Sequence, residues 1–482
     1  MGHGGRPGRN VVSRPPCCEG RNQCEVCDLW GRIERLPGLD FDDHQVGGRF
    51  RMRETIQEAS PNSKEPMRKR WQIAWVHNGD AGGAKRFAFE MVRTLAARGH
   101  VIDEFTVSTS SPNRDYLPLK PFVRTSTEIV IGRPDVSWLR PFLLSSYAEL
   151  SATLWTMHKS RHAYKELANV INARSYDFVH IEQFIFCLTL GIIPYLRKPS
   201  VVYIHEASGM RYQEIQRNAG SWQGRLRGWY TSLCGSAKRL SSYALNRRDI
   251  AHMKLARLTL TNSYYSKEIF YERYGRHASV CYCGVDTHTF RPAPVPIKPM
   301  LLSIGRMVRA KQHHLVIEAV GRIDRPLRPQ VVVATPEYIE RVIEPQYIDE
   351  LHRLGKEHEV DVRVIYRPSQ QELVNLYNET MAVVFVPVME PFGLVALEAM
   401  ACGTPVIGVR EAGIRESVVD GITGILVDRD TAQIAAAITQ LLQHEEKRSQ
   451  MSKQGVDHVR AQWTWEHAAD RYEEEVRKAL KI

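Results

Sequence analysis

Two doubly wound α/β domains are the architecture this sequence predicts. Three observations carry it. A buried-strand run, a glycine-rich loop and a helix follow one another between Trp71 and Gly99. The same succession restarts at Met300 after a proline-rich break. The run Met389–Val427, MEPFGLVALEAMACGTPVIGVREAGIRESVVDGITGILV, then reads as loop, helix, buried strand and glycine-rich return. Strands alternating with helices build parallel sheets covered on both faces. At 482 residues the chain exceeds what one hydrophobic core ordinarily serves, so two domains are expected.

The opening segment differs. Residues 1–70 are rich in glycine, arginine and proline and hold few apolar periods, so a disordered or extension tail is expected, with a short helix near Arg49–Ala59. Cys17, Cys18, Cys24 and Cys27 lie here, and Cys24-Glu-Val-Cys27 has zinc-knuckle spacing. A structural zinc needs four ligands. No paired knuckle follows, and only Cys17 or Cys18 is at hand to join, which leaves zinc open.

Trp71–His77 is a buried-strand pattern, followed by the loop from Asn78 to Gly83 and a helix from about Ala84 to Arg98 that Gly99 stops. The loop lacks GxGxxG spacing, which argues against a dinucleotide enzyme. Gly82 and Gly83 let the backbone approach a phosphate or sugar closely. Further strands fall at Phe178–Ile181 and Val201–Ile204, the second running into His205. Open parallel sheets bind ligands beyond the carboxyl ends of their strands, which makes His205 a candidate and His180 a weaker one.

Between Ala207 and Leu258 ten basic residues stand against two acidic ones, Glu214 and Asp249, with Trp222, Trp229, Tyr230 and Tyr243 interleaved. The stretch accounts for much of the net charge of +11 and suits an anionic membrane surface or a phosphate-bearing acceptor, a solvated helical face being the plainer alternative. Leu139–Met157 reads as a packed helix beside it. No nucleic-acid module surrounds the basic run, so nucleic acid is not an expected partner. An apolar fraction of 43% and a charged fraction of 25% are those of a globular protein. No run reaches bilayer length, no signal-peptide core opens the sequence, and nine cysteines point to reduced thiols. A cytoplasmic protein, peripheral at the membrane if the basic stretch docks, is the expectation.

The second domain follows Cys283-Gly-Val-Asp286 and the linker Pro292–Pro299. A strand at Met300–Ile304 leads into Gly305-Arg306 and, five residues after that arginine, Lys311. Further on, Pro391 pre-sets a helix start, placing Phe392, Gly393 and Leu394 in a first turn whose free amides suit a diphosphate. Glu390 and Glu398 flank that turn and are better acceptors for hydroxyls than ligands for phosphate. Arg309 reads as surface. Asp428-Arg429-Asp430 and Asp40-Phe41-Asp42 mimic a DxD metal motif, but the first sits in a turn and the second in the tail, so no metal is expected.

Glu390-PFGLVAL-Glu398, Gly403-Thr-Pro-Val-Ile407 and Gly413-Ile-Arg-Glu416 resemble the retaining GT-B glycosyltransferases of family 4, the group 1 transferases. The resemblance reaches across most of the chain after residue 70. It implies a GT-B fold with a first, acceptor domain at 71–292, a nucleotide-sugar domain at 293–462 and a crossover helix at 463–482. It implies transfer of a hexose-type sugar, with retention and without metal or other cofactor, from a UDP- or GDP-linked donor to a glycan, lipid-linked or small-molecule acceptor. By the same resemblance His205 and Glu390 serve the transferred sugar, and Arg306 and Lys311 hold the diphosphate. Gly82, Gly83, Phe392, Gly393, Leu394 and Glu398 complete the donor site, Glu398 on the ribose. Cys283 stands where relatives have asparagine, and Thr335–Tyr338 and Arg367-Pro368 replace glycine-rich turns near the base. A same-fold epimerase or phosphorylase and a non-catalytic sugar-nucleotide sensor are the alternatives.

Overall fold

The computed structural model describes residues 69–77, 82–108, 117–130, 160–183, 189–206, 247–335 and 345–482. The four tail cysteines, Asp40-Phe41-Asp42, the helices expected at Arg49–Ala59 and Leu139–Met157, and the basic stretch as far as residue 246 lie outside these.

Runs of β-branched and aromatic residues form the strands, and two all-parallel sheets result. The first contains β1 (Gln72–His77), β2 (Val101–Ser108), β3 (Thr125–Val130), β4 (Phe178–Gln183), β5 (Ser200–Ile204), β6 (Leu258–Thr261) and β7 (Ser279–Val280). The second contains β8 (Lys298–Ile304), β9 (Gln330–Thr335), β10 (Val362–Tyr366), β11 (Thr380–Phe385), β12 (Val406–Val409) and β13 (Gly424–Val427). Their spatial orders are 3-2-1-4-5-6-7 and 10-9-8-11-12-13. In each, the order reverses beside the first strand of the lobe, opening a crevice at the carboxyl ends of β1/β4 and β8/β11. β8 begins within the proline-rich linker, at Lys298, two residues before the expected strand.

Helix α1 (Gly83–Ala97) returns over the first sheet. It buries Phe87, Ala88, Met91, Val92 and Leu95, one stripe at helical spacing. Two glycines bound it, Gly82 at φ 121° and Gly99 at φ 89°, a backbone region that other residues enter at a cost. In the last helix of the series, α5 (Trp465–Leu480), the stripe is Trp465, Ala468, Ala469, Tyr472 and Val476. Thr464 caps it by accepting from the His467 N–H. This stripe packs on the first lobe. Trp465 meets Phe87 edge-on, and the Tyr472 hydroxyl bonds His180 Nδ1 at 2.8 Å. The expected crossover is present.

Two strands of backbone make the crossing side by side. Val285 N–H donates to the Trp463 carbonyl at 2.8 Å, and a Cβ on Gly284 would lie 2.4 Å from the Thr464 carbonyl carbon. Only glycine lets the outgoing and returning segments approach so closely. Cys283 is buried beside Tyr203, whose hydroxyl donates to the Cys281 carbonyl at 2.7 Å.

Candidate active site

Four elements that follow carboxyl ends of strands meet between the lobes. The first turn of α1 approaches helix α3 (Leu394–Ala401), with the Gly83 Cβ position 3.9 Å from Leu394 Cδ1. One turn on, Arg86 reaches Glu398 at 3.9 Å. Beside them the N-terminus of α2 (Tyr264–Tyr274) is tied to the second lobe. Ser263 Oγ donates to the Pro391 carbonyl at 2.6 Å, and Glu416 accepts from the Tyr264 and Tyr265 N–H groups at 2.8 and 2.9 Å and from the Tyr282 hydroxyl at 2.9 Å. A carboxylate from one lobe thus occupies the positive end of a helix in the other.

In the second lobe, Gly305 follows β8, and the Lys311 stem crosses it, 3.0 Å from where a Cβ would sit. That contact aims the ammonium at Glu390 Oε2, 2.5 Å away. Val388 N–H to the Ala310 carbonyl stitches the same two loops. Lysine has three donors, so the pair leaves two of them for other oxygens. Arg306, half-buried in the same turn, makes no hydrogen bond or ion pair through its guanidinium to the described residues, while its carbonyl accepts from His313 Nε2. One paired and one open cation therefore stand together after β8.

The turn after Glu390 departs from expectation. Helix α3 starts at Leu394, with Gly393 as its cap at φ 93°, so Phe392 and Gly393 precede the helix rather than lie in its first turn. A left-handed residue cannot continue a right-handed helix backwards. Phe392 is 3% exposed and packs near Tyr282 and Trp463, which makes it a core anchor of the loop. Space also requires the glycine, since a Cβ would lie 3.2 Å from Phe385 and 3.3 Å from Ile414. With no side-chain cap and no acid in its first turn, α3 presents its leading amides beside Glu390.

Gly413 sets the position of that loop. Its N–H donates to the Glu390 carbonyl at 3.0 Å, and a Cβ would meet the Pro391 carbonyl oxygen at 2.2 Å. Gly413→Ala must therefore push the loop outward. Donor kcat/KM is expected to fall at least about tenfold, a misplacement near 1 Å being worth up to a hundredfold. Unchanged steady-state kinetics would show that the loop does not govern the donor.

Glu398 is nearly enclosed. It accepts from the Tyr377 hydroxyl at 2.7 Å through Oε2 and faces Arg86 with Oε1. Burial holds its pKa above the usual carboxylate value, with Arg86 and then Tyr377 opposing the shift. Neither partner was visible in the sequence, because each is brought in from a distant segment.

In the first lobe, His205 Nε2 pairs with Glu182 Oε2 at 3.1 Å, and Trp75 Nε1 donates to the other oxygen at 2.7 Å. Asn262 holds the His205 carbonyl at 2.9 Å. Glu182 is 1% exposed, yet hydrogen bonding from His205 and nearby positive charge outweigh desolvation and keep its pKa low. The imidazole is thereby fixed on an ionised partner. His180 is different: it is fully buried, stacked on Trp75 at 3.6 Å, and its pKa is pushed down to about 3 by burial. It belongs to the core.

Asp430 is the N-cap of helix α4 (Thr431–Gln443), accepting from Ala432 and Gln433, so this part of the DxD-like triplet has a structural task. Arg309 pairs with Glu350 at the surface, as expected.

Two family models divide the chain between them. Glycosyltransferase Family 4 matches residues 81–289, and Glycosyl transferases group 1 matches 286–458. The D-inositol 3-phosphate glycosyltransferase of Corynebacterium diphtheriae is 25% identical over 82% of this chain and 90% of its own length. That of Frankia alni is 27% identical over 78% and 89%. Among solved structures, sucrose-phosphate synthase from Thermosynechococcus elongatus superposes with a TM-score of 0.64 at 21% identity, covering 86% of this chain and all of its own. Anabaena HepE in complex with UDP-glucose gives 0.61 at 16% identity, covering 85% and 100%. With its two lobes matched in succession and its sheets arranged as described, the chain belongs to the family 4, group 1 glycosyltransferases of GT-B fold and is an enzyme that uses a nucleotide-sugar donor.

Proposed function

We propose that this chain transfers a hexose from a UDP-linked donor to a hydroxyl of a small phosphorylated polyol, with retention at the anomeric carbon and without a metal ion. The observation that carries the reading is the group Arg306, Lys311 and the uncapped N-terminus of α3, which supplies positive charge for a departing diphosphate where other transferases use a metal. UDP is favoured because the fold neighbour from Anabaena was solved with UDP-glucose. The acceptor class follows the relatives named for D-inositol 3-phosphate.

Glu390, held by Lys311, orients the sugar hydroxyls, and Glu398 offers Oε1 to the ribose. His205, held by Glu182, serves the oxocarbenium-like charge. Both oxygens of Glu182 are engaged, by His205 and Trp75, while Lys311 holds one oxygen of Glu390 and leaves the other to accept from a sugar hydroxyl. Retention then follows from acceptor attack on the leaving-group face, the departing diphosphate taking the proton.

The test is transfer from UDP-glucose to D-inositol 3-phosphate in EDTA, with the product anomer assigned by proton NMR. An α-linked product at the metal-replete rate is expected. A β-linked product refutes retention, and loss of activity restored by manganese refutes metal independence. Turnover that needs only inorganic phosphate would indicate a phosphorylase, and turnover without any acceptor an epimerase. Donor binding without turnover would indicate a sensor.

Among the described residues no helix is long and apolar enough to cross a membrane. The basic, aromatic run after Ala207 extends the proposal to peripheral docking. Co-sedimentation with phosphatidylserine vesicles, absent for phosphatidylcholine and fading as salt rises, is expected. Equal binding to both vesicles, or none, removes the membrane from the account.

A further inference from the structure

Beneath the first turn of α1 lies a row of polar side chains on one face of the first sheet. Paired register sets Ser126 opposite Glu104 and Glu104 opposite Trp75. The Ser126 hydroxyl donates to Glu104 at 2.7 Å, and His77 Nε2 pairs with the other Glu104 oxygen at 2.9 Å. Across β1 the Glu182–His205 pair continues the row. His77 and Glu182 lie in the carboxyl-terminal halves of β1 and β4 and His205 follows directly on β5, where an open sheet places ligands, while Glu104 and Ser126 carry the row sideways into β2 and β3.

Lys85, in the first turn of α1, is 5% exposed. Its ammonium makes no hydrogen bond or ion pair to the described residues. Burial pulls its pKa down, while Glu104 and Glu182 oppose that shift from a distance. Such a group is costly to keep. The amides that open α1 are also uncapped, and no acidic residue lies in its first turn. A buried cation with three idle donors thus sits at a helix N-terminus that faces the cleft.

Building on the proposed transfer to a polyol, we infer that Lys85 is an acceptor-recognition residue that donates to the hydroxyls of a polyhydroxylated acceptor rather than to its phosphate. The two flanking carboxylates decide between these ligands. Each is already engaged by neighbouring donors, so neither pairs with the ammonium, yet both repel a phosphate dianion. Hydroxyl oxygens carry no such penalty and use the same donors. The phosphate of the acceptor lies elsewhere, and Lys85 selects for the polyol ring.

The experiment uses the full chain, UDP-glucose as donor, and myo-inositol and D-inositol 3-phosphate as paired acceptors. Lys85→Met should raise the KM of both acceptors about tenfold to a hundredfold, the range for losing a charge-assisted hydrogen bond, and leave their ratio unchanged. UDP-glucose affinity by calorimetry should stay within about twofold, and the melting temperature should hold or rise, since a buried charge without a partner has been removed. Lys85→Arg, with the charge kept and the shape changed, should recover part of the affinity. Loss confined to the phosphorylated acceptor would reassign Lys85 to phosphate and overturn the inference. Unchanged acceptor KM with a lowered melting temperature would also overturn it, leaving Lys85 as a counter-charge for Glu104 and Glu182. Wild-type transfer only to acceptors with a lone hydroxyl, such as a serine peptide, overturns it while the transferase reading stands. A wild-type chain that does not bind UDP-glucose removes the proposed donor and the inference with it.

Discussion

Lys311→Ala is expected to lower turnover at least about a hundredfold while the protein melts normally, because one preorganised donor to a developing oxyanion is worth about 3 kcal/mol. Two effects combine at this position. On the proposed reading the diphosphate loses a cation that the Gly305 turn aims, and Glu390 loses the partner that fixes its carboxylate. Arg306→Ala removes only the first kind of contact, since its guanidinium bonds to none of the described residues. Its loss should therefore fall on donor kcat/KM with no change in folding. Single-turnover rates, donor affinity by calorimetry and thermal melts separate these effects. Wild-type turnover in either folded variant would remove that residue from the site.

The second large effect is on stability. Glu473 of α5 is 1% exposed and receives Arg98 at 3.2 Å, His100 at 3.2 Å and Arg477. Glu473→Ala strands these donors at the seam between α5 and the first lobe, at a cost of about 3 kcal/mol in urea unfolding. The pH dependence has a definite sign. The His100 hydrogen bond and Arg98 outweigh burial and hold the Glu473 pKa down to about 2, below its ordinary 4.5. A depressed folded-state pKa gives stability that is fully present above 4.5 and lost as pH falls towards 2. Asp103, held to about 2 against an ordinary 3.8 by Arg124 and Tyr176, behaves the same way. The wild type should lose stability steeply across that acid window, and the variant less so. Identical acid limbs in both would mean that Glu473 is not held ionised.

The sequence made the strands legible because parallel, doubly covered sheets demand continuous apolar runs such as Val331–Val333. It also carried the cations after β8 and the Glu390–Glu398 pair, since the members of each lie within one short stretch of chain. The start of α3 was misplaced. Pro391 is a familiar opening residue, but Gly393 in a left-handed conformation overrides it, and only the packing of Phe385 and Ile414 around that glycine shows why. Partners contributed from afar had no local signal. Glu416 capping α2, Arg86 against Glu398, and Trp75 steadying Glu182 join segments more than a hundred residues apart. Lys85 carries no local signal either, since its burial is a product of the fold.

The seating of α5 on the first sheet bears on how the chain matures. Trp71, Trp75 and Phe87 belong to the same apolar cluster as Trp465, Tyr472 and Val476, so the earliest strand is finished by residues made almost four hundred positions later. During synthesis the first lobe emerges long before that cover and must wait with an aromatic face bare, the condition in which nascent chains stick or recruit chaperones. Residues 69–292 produced alone should therefore be aggregation-prone, and the same fragment supplied with a 463–482 peptide should become more soluble. Folding of the first lobe is, in this sense, licensed by completion of the second.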